Sequence, residues 1–165
     1  MKRKHDYVLA LHPSSRGFGW VLFEGPLSPF DWGTAHIRDE KNRRSLQAIE
    51  ALLDRYHPSV LVLEVFESAS SRRAPRIRNL CESAIVQAEA RSIEACLYSR
   101  EQIHAALGAR GARTRHGIAV LIADHLEMLR YRLPPPRKIW IGEHPSLALF
   151  SAAACGLAYY ATASA

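Results

Sequence analysis

Residues 7–23 have the sequence YVLALHPSSRGFGWVLF, and this stretch decides the fold. A mostly apolar run leads into the polar turn HPSSRG at 12–17, and a second apolar run follows it. Two apolar runs joined by a short polar turn predict a β-hairpin. His12, at the exit of the first predicted strand, is a side chain that can ionise or bind a metal ion.

The composition predicts one domain with a substantial core. The chain has 165 residues, of which 48% are hydrophobic. This length is enough for one compact domain and too short for two to be expected. We therefore expect a single domain over residues 1–165. Lysine and arginine outnumber aspartate and glutamate by 22 to 16, a net charge of +6, which favours an anionic partner without identifying it.

The cysteines and the lengths of the apolar runs indicate in which cellular compartment the protein is expected. Cys81, Cys96 and Cys155 lie in apolar patterns without a CxxC pair, so we expect reduced core residues, as in cytoplasmic proteins. The basic start lacks the apolar core of a signal peptide. No run reaches the roughly 18–20 apolar residues of a membrane span. We expect a soluble, cytoplasmic protein with no membrane contact.

The pattern beyond the hairpin alternates strands and helices. A third strand is predicted over 32–37, an amphipathic helix over 46–56, and a strand buried on both faces, with Glu64 in it, over 60–66. The further predicted elements are a basic loop over 69–78, a helix over 79–95, a strand over 96–98, one or two helical turns over 100–107, and helices over 115–130 and 145–162. The order predicts an α/β domain: a mixed five-stranded sheet of three antiparallel strands and then parallel strands, flanked by helices.

This layout is that of the ribonuclease H-like fold, and the chain resembles, more narrowly, the RuvC-type Holliday junction resolvases. The matching segments are LALHPSSRGFGWVLF, VLVLEVF, YSREQIHAALG with the later Thr114-Arg115, and LPPPRKIW. They span nearly the whole chain in the family's order. The resemblance implies a structure-selective DNA endonuclease that acts on branched DNA or four-way junctions, commonly as a homodimer.

The resemblance also implies four carboxylates that hold two divalent ions: one on the first strand, one on the fourth and two near the last helix. One ion activates water for phosphodiester hydrolysis and the other stabilises the leaving oxygen. Glu64 matches the fourth-strand acid, and Glu143 lies where relatives carry an acid. His12 replaces the first-strand acid, and Ser151 replaces an aspartate. The two losses weaken the site for Mg²⁺, which prefers oxygen ligands.

By this resemblance, Glu64, Glu143 and His12 are the predicted catalytic residues and metal ligands, with Mg²⁺ or Mn²⁺ as the cofactor. Ser151 and His144 are expected to support them. Each side chain also has a structural alternative. Glu64 can lie at an exposed strand end, Glu143 can stabilise a helix start, His12 can bond turn backbone, and His144 can be a surface residue.

Basic residues near the buried strand indicate where DNA binds. Arginines at the mouth of the site would contact phosphates, and an aromatic side chain would stack on an unpaired base. The predicted contacts are Phe66, Arg72, Arg73, Arg76, Arg78 and Arg115. The alternatives are a solvated run of charges and a core phenylalanine.

Three functional hypotheses follow. The first is a metal-dependent endonuclease of the resolvase type. The second is a degenerate resolvase that binds branched DNA without cutting it, which the changes at His12 and Ser151 favour. The third is a protein-interaction role in which the basic loop is incidental.

Overall fold

The computed structural model describes residues 6–65, 74–108, 114–136 and 144–163. Its centre is a mixed sheet of five strands, β1 (Val8–Ser14), β2 (Gly17–Gly25), β3 (Ser28–His36), β4 (Val60–Glu64) and β5 (Glu94–Tyr98). The strand order is β3-β2-β1-β4-β5. The first three strands pair antiparallel, whereas β4 runs parallel to β1 and β5 parallel to β4. The predicted sheet, with three antiparallel strands followed by parallel strands, is confirmed.

The predicted hairpin forms from β1 and β2. His12 pairs with Gly19 and Ser14 pairs with Gly17, so Ser15 and Arg16 make the turn. Gly17 has φ +143, and a Cβ there would lie 1.8 Å from the carbonyl oxygen of Ala35. Glycine is therefore required at the end of this turn.

The third strand is longer than predicted. It begins at Ser28 instead of Trp32, so a two-residue connection, Pro26 and Leu27, joins it to β2. Pro29 therefore lies inside β3. Proline is tolerated here because β3 is an edge strand and its register with β2 shifts beside Phe23, the partner of Pro29.

Helices cover both faces of the sheet. They are α1 (Lys41–Tyr56), α2 (Ala74–Ala90), α3 (Arg100–Ala106), α4 (Arg115–His125), a 3₁₀ helix (Glu127–Arg132) and α5 (Leu147–Ala163). Every helix in the described ranges is too short or too polar to cross a membrane.

Two helix predictions are wrong. The second helix spans 74–90 instead of 79–95, because Pro75 fits a first helical turn, where its missing amide hydrogen is not needed. Arg76 and Arg78 therefore lie on α2 and not in a basic loop. The helix predicted over 115–130 ends at His125, and the 3₁₀ helix follows it.

The strands β1 and β4 are both buried on two faces, which the sequence predicted for β4. Leu9 and Leu11 pack with the core residues of α1 and α2, whereas Val8 and Ala10 pack with those of α3, α4 and α5. Successive strand side chains point to opposite faces. By this alternation, His12 on β1 lies on the α5 side.

A close helix–strand contact fixes the start of α5. A Cβ at Gly19 would lie 2.3 Å from the carbonyl carbon of Ala148. Only glycine allows this approach. Because Gly19 pairs with His12, the start of α5 is held against the sheet beside His12.

Candidate functional site

The carboxyl ends of β1 and β4 bring His12 and Glu64 together. Leu11 pairs with Leu63 in the parallel ladder, so the next residue of each strand points to the same face. Nδ1 of His12 lies 3.6 Å from Oε2 of Glu64. His12 and Glu64, two of the predicted site residues, are therefore neighbours in the fold.

His12 is a buried, neutral imidazole. It is 4% exposed, and within the described ranges its Nδ1 has no hydrogen-bond partner. Burial lowers the pKa of His12 to about 3, and the positive charges of Arg115 and Arg100 contribute to the lowering. His12 and Glu64 therefore do not form an ion pair at neutral pH, although they are close.

Glu64 lies among positive charges. Burial raises the pKa of Glu64, and Arg100, Arg115 and His104 partly offset that rise. Arg100 is the first residue of α3 and Arg115 is the first residue of α4. The electrostatic surroundings of this carboxylate therefore favour an anion more than a cation.

The described residues do not fit the two-ion site that the resemblance implies. Among them, no group of three or more His, Cys, Asp and Glu side chains could hold a metal ion. His12 supplies a neutral nitrogen and Glu64 one carboxylate, whereas Mg²⁺ sites are built from oxygen ligands. Glu143 falls outside the described residues, so its role stays a prediction.

The two predicted supporting residues lie around the start of α5. Ser151 is half-buried in the helix, and in the described part of the chain no hydrogen bond joins it to His12 or Glu64. His144 is exposed, and its Nδ1 accepts a hydrogen bond from the backbone N–H of Ser146 at 3.1 Å. Its exposure fits the structural alternative for His144, a surface residue at a helix start. Their roles in a site stay predictions.

The predicted DNA contacts are only partly covered by the structure. Phe66, Arg72 and Arg73 lie outside the described residues. Arg76 lies in the first turn of α2 and donates to the carbonyl oxygen of Ser14 at 3.2 Å. Arg78 is exposed on the same helix. Arg115 lies close enough to His12 and Glu64 to lower the pKa of both.

Sequence reasoning named Arg76 and Arg115 as DNA contacts, but it missed Lys41, Arg100 and the shared position of all four cations at helix starts. Each of the helices α1 to α4 carries a lysine or arginine in its first turn: Lys41, Arg76, Arg100 and Arg115. Because α1, α2 and α3 follow strands that end at the same edge of the sheet, their starts lie at that edge. The influence of Arg115 on His12 and Glu64 places the start of α4 there too. We call this edge, with the four cations, the basic edge.

For two of the four cations, Arg100 and Arg115, the sequence contains a signal of the helix start, although not of its position in the fold. Ser99 forms a capping box with Gln102, and Thr114 accepts a hydrogen bond from Gly117 N–H. A capping residue immediately before a cation predicts a helix start with a positive charge. A cation is unfavourable at a helix N-terminus because the dipole is already positive there. The helix dipole therefore does not explain the cations at these positions.

The sheet order, the helices on both faces and the His12–Glu64 pair at the ends of the central strands define a RuvC-like, ribonuclease H-like fold. Similarity to solved structures supports this class. "T. thermophilus RuvC in complex with Holliday junction substrate" aligns with a TM-score of 0.71 and 16% identity, over 97% of this chain and 96% of that one. "Thermus thermophilus RuvC structure" aligns with a TM-score of 0.64 and 16% identity, over 96% and 95%.

The similarity lies in the fold and not in a close sequence relationship. No family model matches the chain, and no curated protein matches it. At 16% identity the solved structures establish the RuvC-like fold, which the sequence predicted. Activity and substrate have to be argued from the residues.

Proposed function

We propose that this chain is a RuvC-like protein that binds branched DNA, such as a four-way junction, without a two-ion hydrolytic centre. The observation that carries the proposal is the basic edge. It places Lys41, Arg76, Arg100 and Arg115 in the first turns of four helices at the carboxyl ends of the strands. Helix N-termini and cations both attract phosphates.

The choice of DNA as the partner rests on the fold and the charge. The similar structure of Thermus thermophilus RuvC was solved with a Holliday junction, and this chain has a net charge of +6. Lysine and arginine contacts to phosphates supply most of the affinity of proteins for nucleic acids. A homodimer that presents two basic edges to one junction is the assembly we propose.

Binding without two-ion cleavage is favoured by the residues beside Glu64. His12 is neutral and buried, so it adds no negative charge. Arg100 and Arg115 add positive charge to the same place. A pair of divalent ions needs negative ligands, because otherwise their mutual repulsion is not compensated.

The test compares a fluorescent four-way junction with a linear duplex of the same arm sequence, by anisotropy at several salt concentrations. We expect tighter binding of the junction. Equal affinity for the two DNAs, or affinity that does not depend on salt, contradicts the proposal. Gel analysis after incubation with Mg²⁺ shows whether the bound junction remains uncut, as we expect.

A second candidate function is an endonuclease with a modified metal site. One observation favours it: within the described ranges, Nδ1 of His12 has no hydrogen-bond partner and lies 3.6 Å from a carboxylate oxygen. The two atoms would be ligands of one ion, and an imidazole nitrogen suits Mn²⁺ better than Mg²⁺. A bound ion would polarise the phosphate or activate water.

This candidate has its own test. Calorimetry with Mn²⁺ measures binding independently of cleavage, and a junction-nicking assay measures activity. Nicking with Mn²⁺ that is lost together with Mn²⁺ binding in Glu64→Gln supports the endonuclease. A Glu101→Gln variant, which removes an exposed acid in α3, is the matched control and should retain both.

A further inference from the structure

A small open cavity lies beside the turn of the first hairpin. It has a volume of about 260 Å³ and is lined by Ser15, Arg16, Lys41 and Arg76. A water molecule takes roughly 30 Å³, so the cavity has room for a tetrahedral anion with water around it. Three of its four lining residues are cations.

The cations are held in place by hydrogen bonds to uncharged groups. Nζ of Lys41 donates to the carbonyl oxygen of Ser15 at 2.7 Å. The guanidinium of Arg76 donates to the carbonyl oxygen of Ser14 at 3.2 Å and to Oδ1 of Asn42 at 3.0 Å. Asn42 in turn donates to the carbonyl oxygen of Arg76 at 3.0 Å. The starts of α1 and α2 are thus locked to the hairpin turn.

Two of the three cations that line the cavity, Arg16 and Lys41, carry positive charge without a carboxylate beside it. Within the described ranges, neither of them forms an ion pair. An ammonium group has three donors, and the described contact of Lys41 uses one. The positive charges of Arg16 and Lys41 repel each other, and an anion in the cavity would offset that repulsion.

Bracing of the turn explains Lys41 and Arg76 but not Arg16. Arg16 joins the described hydrogen bonds through its backbone: its N–H donates to Oγ of Ser14, and its carbonyl oxygen accepts from Ile37. Its side chain is exposed at the tip of the turn. The described contacts therefore give the guanidinium of Arg16 no part in holding the turn, and it is exposed to a ligand in the cavity.

We infer that Ser15, Arg16, Lys41 and Arg76 form a binding pocket for a phosphate group. The pocket opens at the same sheet edge as His12 and Glu64, but on the face covered by α1 and α2. The phosphate is either one of a nucleic-acid backbone, which rests on the proposed function, or a free phosphate or phosphorylated small molecule.

The test is an NMR titration of the full chain with inorganic phosphate, against chloride at equal ionic strength. We expect the amide signals of Ser15, Arg16, Gly17 and Lys41 to shift with phosphate and not with chloride. Arg16→Gln should weaken the phosphate affinity at least threefold. Equal shifts with both salts, or unchanged affinity in Arg16→Gln, overturns the pocket.

The matched control is Arg55→Gln, which removes the same charge in the last turn of α1. It lies fourteen residues beyond Lys41 on the same helix, about 21 Å away at the α-helical rise. It should bind phosphate like the unaltered protein. An equal loss of affinity in Arg16→Gln and Arg55→Gln shows that only net charge matters and overturns the pocket.

DNA binding separates the two sources of the phosphate. If the ligand is a backbone phosphate, Arg16→Gln lowers the slope of log affinity against log salt by about 0.9, the value for one phosphate contact. If the slope is unchanged while phosphate still shifts the four amides, the ligand is a free phosphate. Failure of the unaltered protein to bind DNA rejects the proposed function, and the titration still decides on the pocket.

Discussion

Nδ1 of His12 lies 3.6 Å from Oε2 of Glu64, and the two groups are not oppositely charged at neutral pH. The imidazole is neutral because burial lowers its pKa to about 3. The carboxyl group is half-buried, and burial raises its pKa. The raised pKa of Glu64 opposes the ionised carboxylate that divalent cations require, whereas the neutral imidazole of His12 adds a nitrogen without negative charge.

The first prediction concerns stability and pH. The pKa of His12 is about 3 in the fold and about 6.5 in the unfolded chain, so between these values the unfolded chain binds the extra proton. Stability from this group is therefore full above pH 6.5 and falls with decreasing pH, by up to about 1.4 kcal/mol per pH unit. Glu64 acts in the opposite sense, because its raised pKa favours the fold at low pH and that contribution is lost as pH rises.

The variant His12→Asn isolates the histidine contribution. Between pH 7 and pH 5 the unaltered protein should lose about 2 kcal/mol more unfolding free energy than His12→Asn. Urea unfolding at the two pH values measures this difference. An identical pH dependence of the two proteins would mean that His12 is protonated in the fold and would contradict its burial as a neutral group.

The second prediction concerns metal binding. If the acids were lost from a two-ion site, His12→Asp combined with Ser151→Asp should restore negative ligands next to Glu64. We expect Mn²⁺ affinity to rise at least tenfold, as measured by calorimetry. The control is His12→Asn combined with Ser151→Asn. Asparagine has the shape of aspartate without its charge, so this double variant should show no gain in Mn²⁺ affinity. Equal Mn²⁺ affinity in the two double variants argues against a degenerate metal site.

The third prediction concerns the basic edge. Arg100→Gln and Arg115→Gln should each weaken junction binding about threefold to tenfold and lower the salt slope by about 0.9. Arg100→Gln should not lower the melting temperature, because a cation at the first helical position opposes the helix dipole. Arg55→Gln should leave both DNA quantities unchanged. An equal decrease of the salt slope in all three variants would mean that DNA binding follows net charge alone.

The sequence predicts those features that depend on neighbouring residues. The apolar runs around 12–17 predict the hairpin, and the continuous apolar run before Glu64 predicts a strand buried on both faces. The resemblance to the RuvC-type resolvases, and not a local pattern, implies that His12 stands where those proteins carry an acid. The sequence does not predict the burial of His12, because a histidine beside a turn can be exposed as readily as buried.

The basic edge could not be predicted in the same way. Lys41 and Arg115 are 74 positions apart, and only the sheet order brings the helix starts to one edge. No periodicity or local spacing encodes that proximity. The assignment of Arg76 to a loop was wrong for a local reason: the helix was expected to begin at residue 79, whereas Pro75 lies in its first turn, where proline is favoured.

The last prediction tests the contact that holds α5 beside His12. A Cβ at Gly19 would lie 2.3 Å from the carbonyl carbon of Ala148, and backbone atoms cannot rotate away. Gly19→Ala should therefore lower the unfolding free energy by about 3 kcal/mol, at the upper end of the usual cost of overpacking. Urea unfolding at pH 7 measures the loss.

Gly25→Ala is the matched control in the same strand. A Cβ at Gly25 would meet the side chain of Ser28 at 3.7 Å, an ordinary contact, so its unfolding free energy should change little. Gly19→Ala should also weaken junction binding if α5 is displaced from the sheet, because its start lies beside the basic edge. Equal stability of the two alanine variants would contradict the close approach of α5 to β2, and with it the burial that keeps His12 neutral.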